Sequence, residues 1–186
     1  QLVSAGWDLW IHLWQATDGE WVRSLRCPEV SLSMLTLSAN GERLAGANYR
    51  HGLWVWDLAS GEIVWRLGGK DLEIDAIALS QNGDCVAALT PTGCTEYDLS
   101  SGSEYKHHEL PAGAAIAYGS SNDLHICASI LGLVQLWKAG NVANSQALGV
   151  ASTGISAAHF SATAQTILLQ HAGDHHLEII GSNGEP

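Results

Sequence analysis

The chain has 186 residues, of which 46% are hydrophobic and 15% charged, and 8 Lys and Arg against 19 Asp and Glu leave a formal net charge of −11. That apolar content excludes a disordered chain, and cations scattered singly along an acidic sequence exclude a surface built for nucleic acid or anionic lipid. No run approaches the ~20 apolar residues of a membrane helix, and the opening QLVSAGWD does not read as a signal peptide.

In chain order the sequence reads as short strands punctuated by turns. LVSAG, a strand, leads through WDLWIHLW to a turn in LWQATDG. Next come SMLTLS, the turn ANGE, RLAGANY, the turn RHG, LWVWDL, the turn ASG and EIVWRL. LSQNGDCVA and EYDLSSG follow, then YGSSNDLHI with LWKAGN, and last FSATAQTIL with EIIGSNG. Apolar residues alternate or run for four to six positions between Asn-Gly, Ser-Gly and Asp-Gly turns, and no window holds a helical period. One large residue recurs ahead of the turn, as Trp14, Trp56, Tyr97, Trp137 and Ile179, at intervals of 42, 41, 40 and 42 residues. LSANGERLA and LSQNGDCVA repeat in step with it. Four strands in each unit of about forty residues predict an all-β fold, a β-propeller of four-stranded antiparallel blades. The units run approximately 1–28, 29–70, 71–111, 112–151 and 152–186.

The segments SAGWDLWIHLW, LSANGERLAGANYRHGLWVWDLASG and LSQNGDCVAALTPTGCTEYDLSSG resemble the WD-repeat family in their strand, turn and strand pattern. The likeness covers nearly the whole chain, tightly in the first three units and loosely in the last two. The family's Gly-His dipeptide is missing, and the Trp-Asp pair survives only as Trp56-Asp57. The resemblance therefore implies that the buried His–Asp network of that family is largely absent, although Asp8 and Asp174 match its turn aspartate. The first unit starts at its second strand and the last stops before its fourth, so the chain reads as a segment of a larger propeller, an incomplete ring with two raw edges that self-associates at micromolar concentration.

Trp14, Trp56, Tyr97 and Trp137 read as aromatics packed between neighbouring sheets, and Asp57 and Asp98 as caps of the turns that follow them. His171, His175 and His176 surround Asp174 without a third ligand at a spacing that would hold zinc, so neither a metal nor any other cofactor is expected. Cys27, Cys85, Cys94 and Cys127 lack CxxC spacing and read as reduced core thiols, which with the lack of Asn-x-Ser/Thr sequons points to an intracellular, cytoplasmic setting. No nucleophile elbow, phosphate loop or converging carboxylate pair occurs, and the chain reads as a non-enzyme. One pattern points to a different class. DLASGEIVW (57–65) fits the repeat of quinoprotein-type propellers, enzymes or periplasmic assembly proteins, in which the final Trp stacks between blades; Arg23 and Lys106 stand at that place in the units on either side.

The WD-repeat resemblance implies a protein-interaction platform, with partners docking where the second-to-third-strand turns and the connections between units gather. Trp7, Tyr49, Arg50, His51, Lys70 and Asp71 stand at those positions. The acidic total implies a basic protein partner, beside the remaining blades or domains of a parent chain.

Overall fold

The structure, a computed structural model, describes residues 1–27, 30–69, 72–108, 113–119, 124–129, 133–138, 141–150, 154–160, 166–171 and 176–181. Among them there is no helix, and all strands pair antiparallel with their neighbours in sequence. Sheet one holds β1 (Leu2–Ala5), β2 (Trp10–Trp14) and β3 (Trp21–Arg26). Sheet two holds β4 (Met34–Leu37), β5 (Arg43–Asn48), β6 (Gly52–Asp57) and β7 (Ile63–Leu67). Sheet three is β8 (Ala76–Leu79), β9 (Cys85–Thr90), β10 (Gly93–Asp98) and β11 (Glu104–His108). Sheet four is β12 (Gly113–Tyr118), β13 (Leu124–Ser129), β14 (Leu133–Lys138) and β15 (Asn141–Val150), and sheet five is β16 (Ile155–Phe160), β17 (Thr166–His171) and β18 (Leu177–Gly181).

The pleat sends successive side chains to opposite faces, and the sheets are stacked so that both sets are used. In β6, Trp54 and Trp56 face sheet one, joining Leu44 against Ile11, Leu13 and Leu25. Leu53 and Val55 face sheet three, where they meet Ile77, Leu79, Val86 and Ala88. The next interface sets Ala87, Leu89 and Cys94 against Ile116 and Tyr118, and the last sets Ala115 and Val134 against Ile155, Ile167, Leu169 and Ile180. Trp56 is 1% exposed. Its ring fits because Gly46 lies beneath it: a Cβ there would come within 3.2 Å of the indole and 2.6 Å of Leu32 Cδ1. Gly52, at the start of β6, has φ +130, and a Cβ would lie 2.4 Å from the Leu67 carbonyl oxygen, so only glycine serves.

The strands β4, β8, β12 and β16 are the edges of their sheets, and each contacts the next. The result is a fan, an incomplete propeller-like arrangement of small sheets around the edges of these four strands, with none closed into a barrel. One repeat position differs from the expectation. The register pairs Leu44 with Trp56 but Ile167 with Ile180, so Ile180 holds the buried place assigned by spacing to Ile179. Ile180 is 7% exposed and Ile179 62%, and the interval from Trp137 is 43 residues. An extra residue in the preceding connection moves every side chain of β18 to the other face.

Trp56→Ala is expected to destabilise the chain by about 3–5 kcal/mol, as truncation of a buried aromatic does. Trp7→Ala, at a side chain 96% exposed, is expected to stay within about 0.5 kcal/mol. Urea unfolding of both variants measures the contrast, and equal losses would contradict the packing described.

Candidate functional site

The two ends of the sheets are built differently. At one end lie the β1–β2 and β5–β6 turns with the connections between sheets. Backbone bonds tie these together: Cys27 N–H donates to the Leu9 carbonyl (2.9 Å), and Ile74 N–H to the Tyr49 carbonyl (3.0 Å). Asn48 Nδ2 donates to the Ser31 carbonyl (2.7 Å). Turns that would otherwise be loose are thus fixed to the sheets.

Trp7 stands out from the first of these turns. Asp8 Oδ1 accepts from Trp10 N–H (3.2 Å), and Leu9 takes φ 65, a left-handed conformation that costs a non-glycine residue roughly 1–2 kcal/mol. Asp8 Oδ2 lies 3.3 Å from His12 Nε2, and His12 Nδ1 lies 2.7 Å from Ser24 Oγ. A His–Asp contact therefore does occur, at the surface of sheet one. The backbone bond from Trp10, and then His12, lower the Asp8 carboxyl below its usual range. In the β5–β6 turn, the Arg50 guanidinium sits 5.6 Å from the centre of the Tyr49 ring, and Arg50 N–H donates to Asn48 Oδ1 (3.1 Å). His51 is exposed beside them. Lys70 and Asp71 lie outside the described residues.

The opposite end carries repeated turn networks. Ser38 Oγ donates to Asn40 Oδ1 (2.6 Å) and accepts from Arg43 N–H (2.9 Å); Ser80, Asn82 and Cys85 reproduce both bonds, each at 2.9 Å. Asn40 also reaches the next sheet, its backbone N–H donating to the Gln81 carbonyl and its Nδ2 to the Asn82 carbonyl. Asp57 accepts from the N–H and hydroxyl of Ser60 and pairs with Arg43. Asp98 accepts from Ser100 Oγ and from the N–H and hydroxyl of Ser101. The serine bonds come first in holding each carboxyl down at about 2, with Arg43 adding to the effect at Asp57.

Between the sheets, Trp56 is buried, Tyr97 is partly buried against sheet two, and Trp14 is partly exposed on the outer face of sheet one. Trp137 belongs to β14, but its side chain lies outside the described residues. Trp65 crosses to the next sheet: its ring centre is 5.1 Å from that of Tyr97, and its indole edge lies over Gly102. Arg23 makes the same crossing from sheet one, with Nη1 3.4 Å from the Ala59 carbonyl oxygen beside Gly61. Lys106 has its side chain outside the described residues. Tyr118 OH donates to Glu96 Oε2 (3.0 Å) with both residues buried, joining sheets three and four. Burial, and then the Glu96 carboxylate, raise the Tyr118 phenol well above its ordinary range.

The edge strands enclose two neighbouring clefts that sequence reasoning missed. One, about 270 Å³, is lined by Leu37, Leu79, Gln81, Tyr118 and His159 among others. The other, about 320 Å³, includes Ser33, Asp75 and Ser156. Residues scattered over more than a hundred positions meet here only because four strand edges converge. His171 lies 3.0 Å from Glu178 Oε2, and its ring meets His176 edge-on at 5.1 Å; Asp174 and His175 are outside the described residues. Among the described residues no three His, Cys, Asp or Glu side chains are grouped to hold a metal ion, and no helix is long and apolar enough to cross a membrane. Burial raises the Cys27 thiol and pushes Cys85 up to about 11, so both stay protonated at neutral pH. Compared with family models and with curated proteins, the sequence matches none.

Asp57 and Asp98 sit below the ordinary 3.8 in the folded chain. Their bonds therefore stabilise it fully above that value and are lost as pH falls toward 2. The Asp57→Asn, Asp98→Asn double variant is expected to melt below the parent at pH 6 and to fall less steeply between pH 4 and 2. Thermal melts across that range measure it, and parallel curves would contradict the capping role.

Proposed function

We propose that this chain is a WD-repeat-like propeller segment that works as a non-enzymatic platform for a basic protein partner, docked on the end that carries Trp7, Tyr49 and Arg50. The observation that carries this reading is a tryptophan almost wholly in water on a turn that Asp8 closes and that the Cys27 N–H holds at the Leu9 carbonyl. Trp, Tyr and Arg dominate the binding energy of protein interfaces, and a preformed turn loses little entropy when it binds. Tyr49 and Arg50 belong to the equivalent turn of the adjacent sheet and extend the same end of the fan. A net charge of −11 favours encounter with a cationic partner. Cys27 and Cys94 are free and buried, which suits the intracellular setting inferred from the sequence.

One observation favours a second reading. Trp65 bridges sheets two and three as the final tryptophan of a quinoprotein-type repeat would, and Arg23 bridges sheets one and two. That geometry speaks for the repeat class, and the chemistry of such a protein needs a quinone site in addition.

Peptide display against the chain tests the first reading. Selected peptides are expected to be rich in Lys and Arg and to lose at least tenfold in affinity against Trp7→Ala and Tyr49→Ala, variants whose melting is unchanged. Peptides that bind both variants as well as the parent would overturn it. Pyrroloquinoline quinone with calcium is expected to leave the melting temperature unmoved, and a rise of several degrees would favour the second reading.

A further inference from the structure

The larger of the two central clefts, about 320 Å³, opens at the end that carries Tyr49 and Arg50. Ser33 and Asp75 stand directly ahead of β4 and β8, and Ser156 is the second residue of β16, so all three lie at that mouth. Deeper in, the cleft passes between Ile77 and Ile116 to His159. Its walls are the inner strands of sheets two to five, away from the outer faces of sheets one and five. The mouth is also tied to the docking end: Ile74 N–H donates to the Tyr49 carbonyl (3.0 Å), and Asp75 is the next residue.

The side-chain oxygens at this mouth are acceptors whose protons are already committed. Ser33 Oγ donates to the Ala47 carbonyl (3.4 Å) and Ser156 Oγ to the Gln170 carbonyl (3.2 Å). A hydroxyl has one proton and two lone pairs, so each keeps acceptor capacity. Asp75 adds a carboxylate, and among the described residues no cation or hydrogen-bond donor pairs with its side chain. Burial, and then the Glu73 carboxylate, raise the Asp75 carboxyl above its ordinary range, as a partly buried charge without a counter-ion requires. A cation at the mouth offsets that cost.

The group that suits such oxygens has several donors and no acceptor, which describes an ammonium head. Lysine carries one on a slim four-carbon stem, whereas the planar fork of arginine matches a single bidentate carboxylate. We propose that a lysine side chain of the basic partner enters this mouth and sets its ammonium among Asp75, Ser33 and Ser156, beside the contacts made by Trp7, Tyr49 and Arg50. The assignment rests on the platform reading and adds to it the residue type that the partner presents.

Two titrations test it. The first uses n-butylammonium, the head and stem of lysine, and follows the backbone amides of the isotope-labelled chain. Saturable shifts are expected at Ser33, Asp75 and Ser156, lost in Asp75→Asn, unchanged in Trp7→Ala and absent with n-butanol. Ser156→Ala is expected to weaken the binding severalfold and serves should Asp75→Asn misfold. The second titration uses the lysine-bearing peptides selected by display. Asp75→Asn is expected to bind them at least tenfold more weakly, and norleucine in place of one lysine to erase that difference. No saturable shift in the parent, or equal shifts with n-butanol, would overturn the proposal. So would peptides that need Trp7 yet bind Asp75→Asn as well as the parent, an outcome that leaves the platform reading standing. Butylammonium bound at Asp75 with peptides indifferent to Trp7 would overturn the platform reading and, with it, the partner as the source of the lysine, leaving a site for a free amine.

Discussion

The rest of this structure depends on the requirement that every internal sheet be apolar on both faces. A sheet with one face in water alternates apolar and polar residues. Here β6 reads GLWVWD, and its four central side chains all leave water, two on each side. The stack is thus a series of similar interfaces in which the largest ring of one sheet, Trp56, takes up the space over Gly46 and presses on Ile11 and Leu13. Stability in such a stack adds up between neighbours. Sheets two, three and four are covered on both sides, and the end sheets pack on one face only.

The strands and most of their order were legible in the sequence because pleat and turn chemistry act locally. Asn-Gly and Ser-Gly turns place the strand ends, and alternation between them sorts side chains to faces. The misassigned register in β18 shows where that stops. A spacing of 42 and a spacing of 43 read alike in the sequence, yet one residue exchanges Ile179 for Ile180 in the core. Arg23 reads as a lost tryptophan, and in the fold its guanidinium reaches the neighbouring turn as Trp65 does. Glu96, which no sequence pattern singles out, is buried against the Tyr118 hydroxyl. The central clefts had no signal along the chain, since no short stretch of sequence encodes the convergence of four edges.

The candidate site follows from the asymmetry between the two ends. One is closed by side-chain caps on backbone groups, with Ser38, Ser80, Asp57 and Asp98 saturating the turns and linking one sheet to the next. The other is pinned through backbone bonds, and there Trp7, Tyr49, Arg50 and His51 have side chains to offer to solvent. The docking proposed above rests on those exposed side chains.

Native-state hydrogen exchange on dilute protein, read strand by strand, tests the account of a doubly covered centre most directly. The account predicts the slowest exchange in β5, β6 and β9, with β1 and β18 opening several orders of magnitude faster, in separate steps. Uniform protection, or slowest exchange in the end sheets, would contradict it.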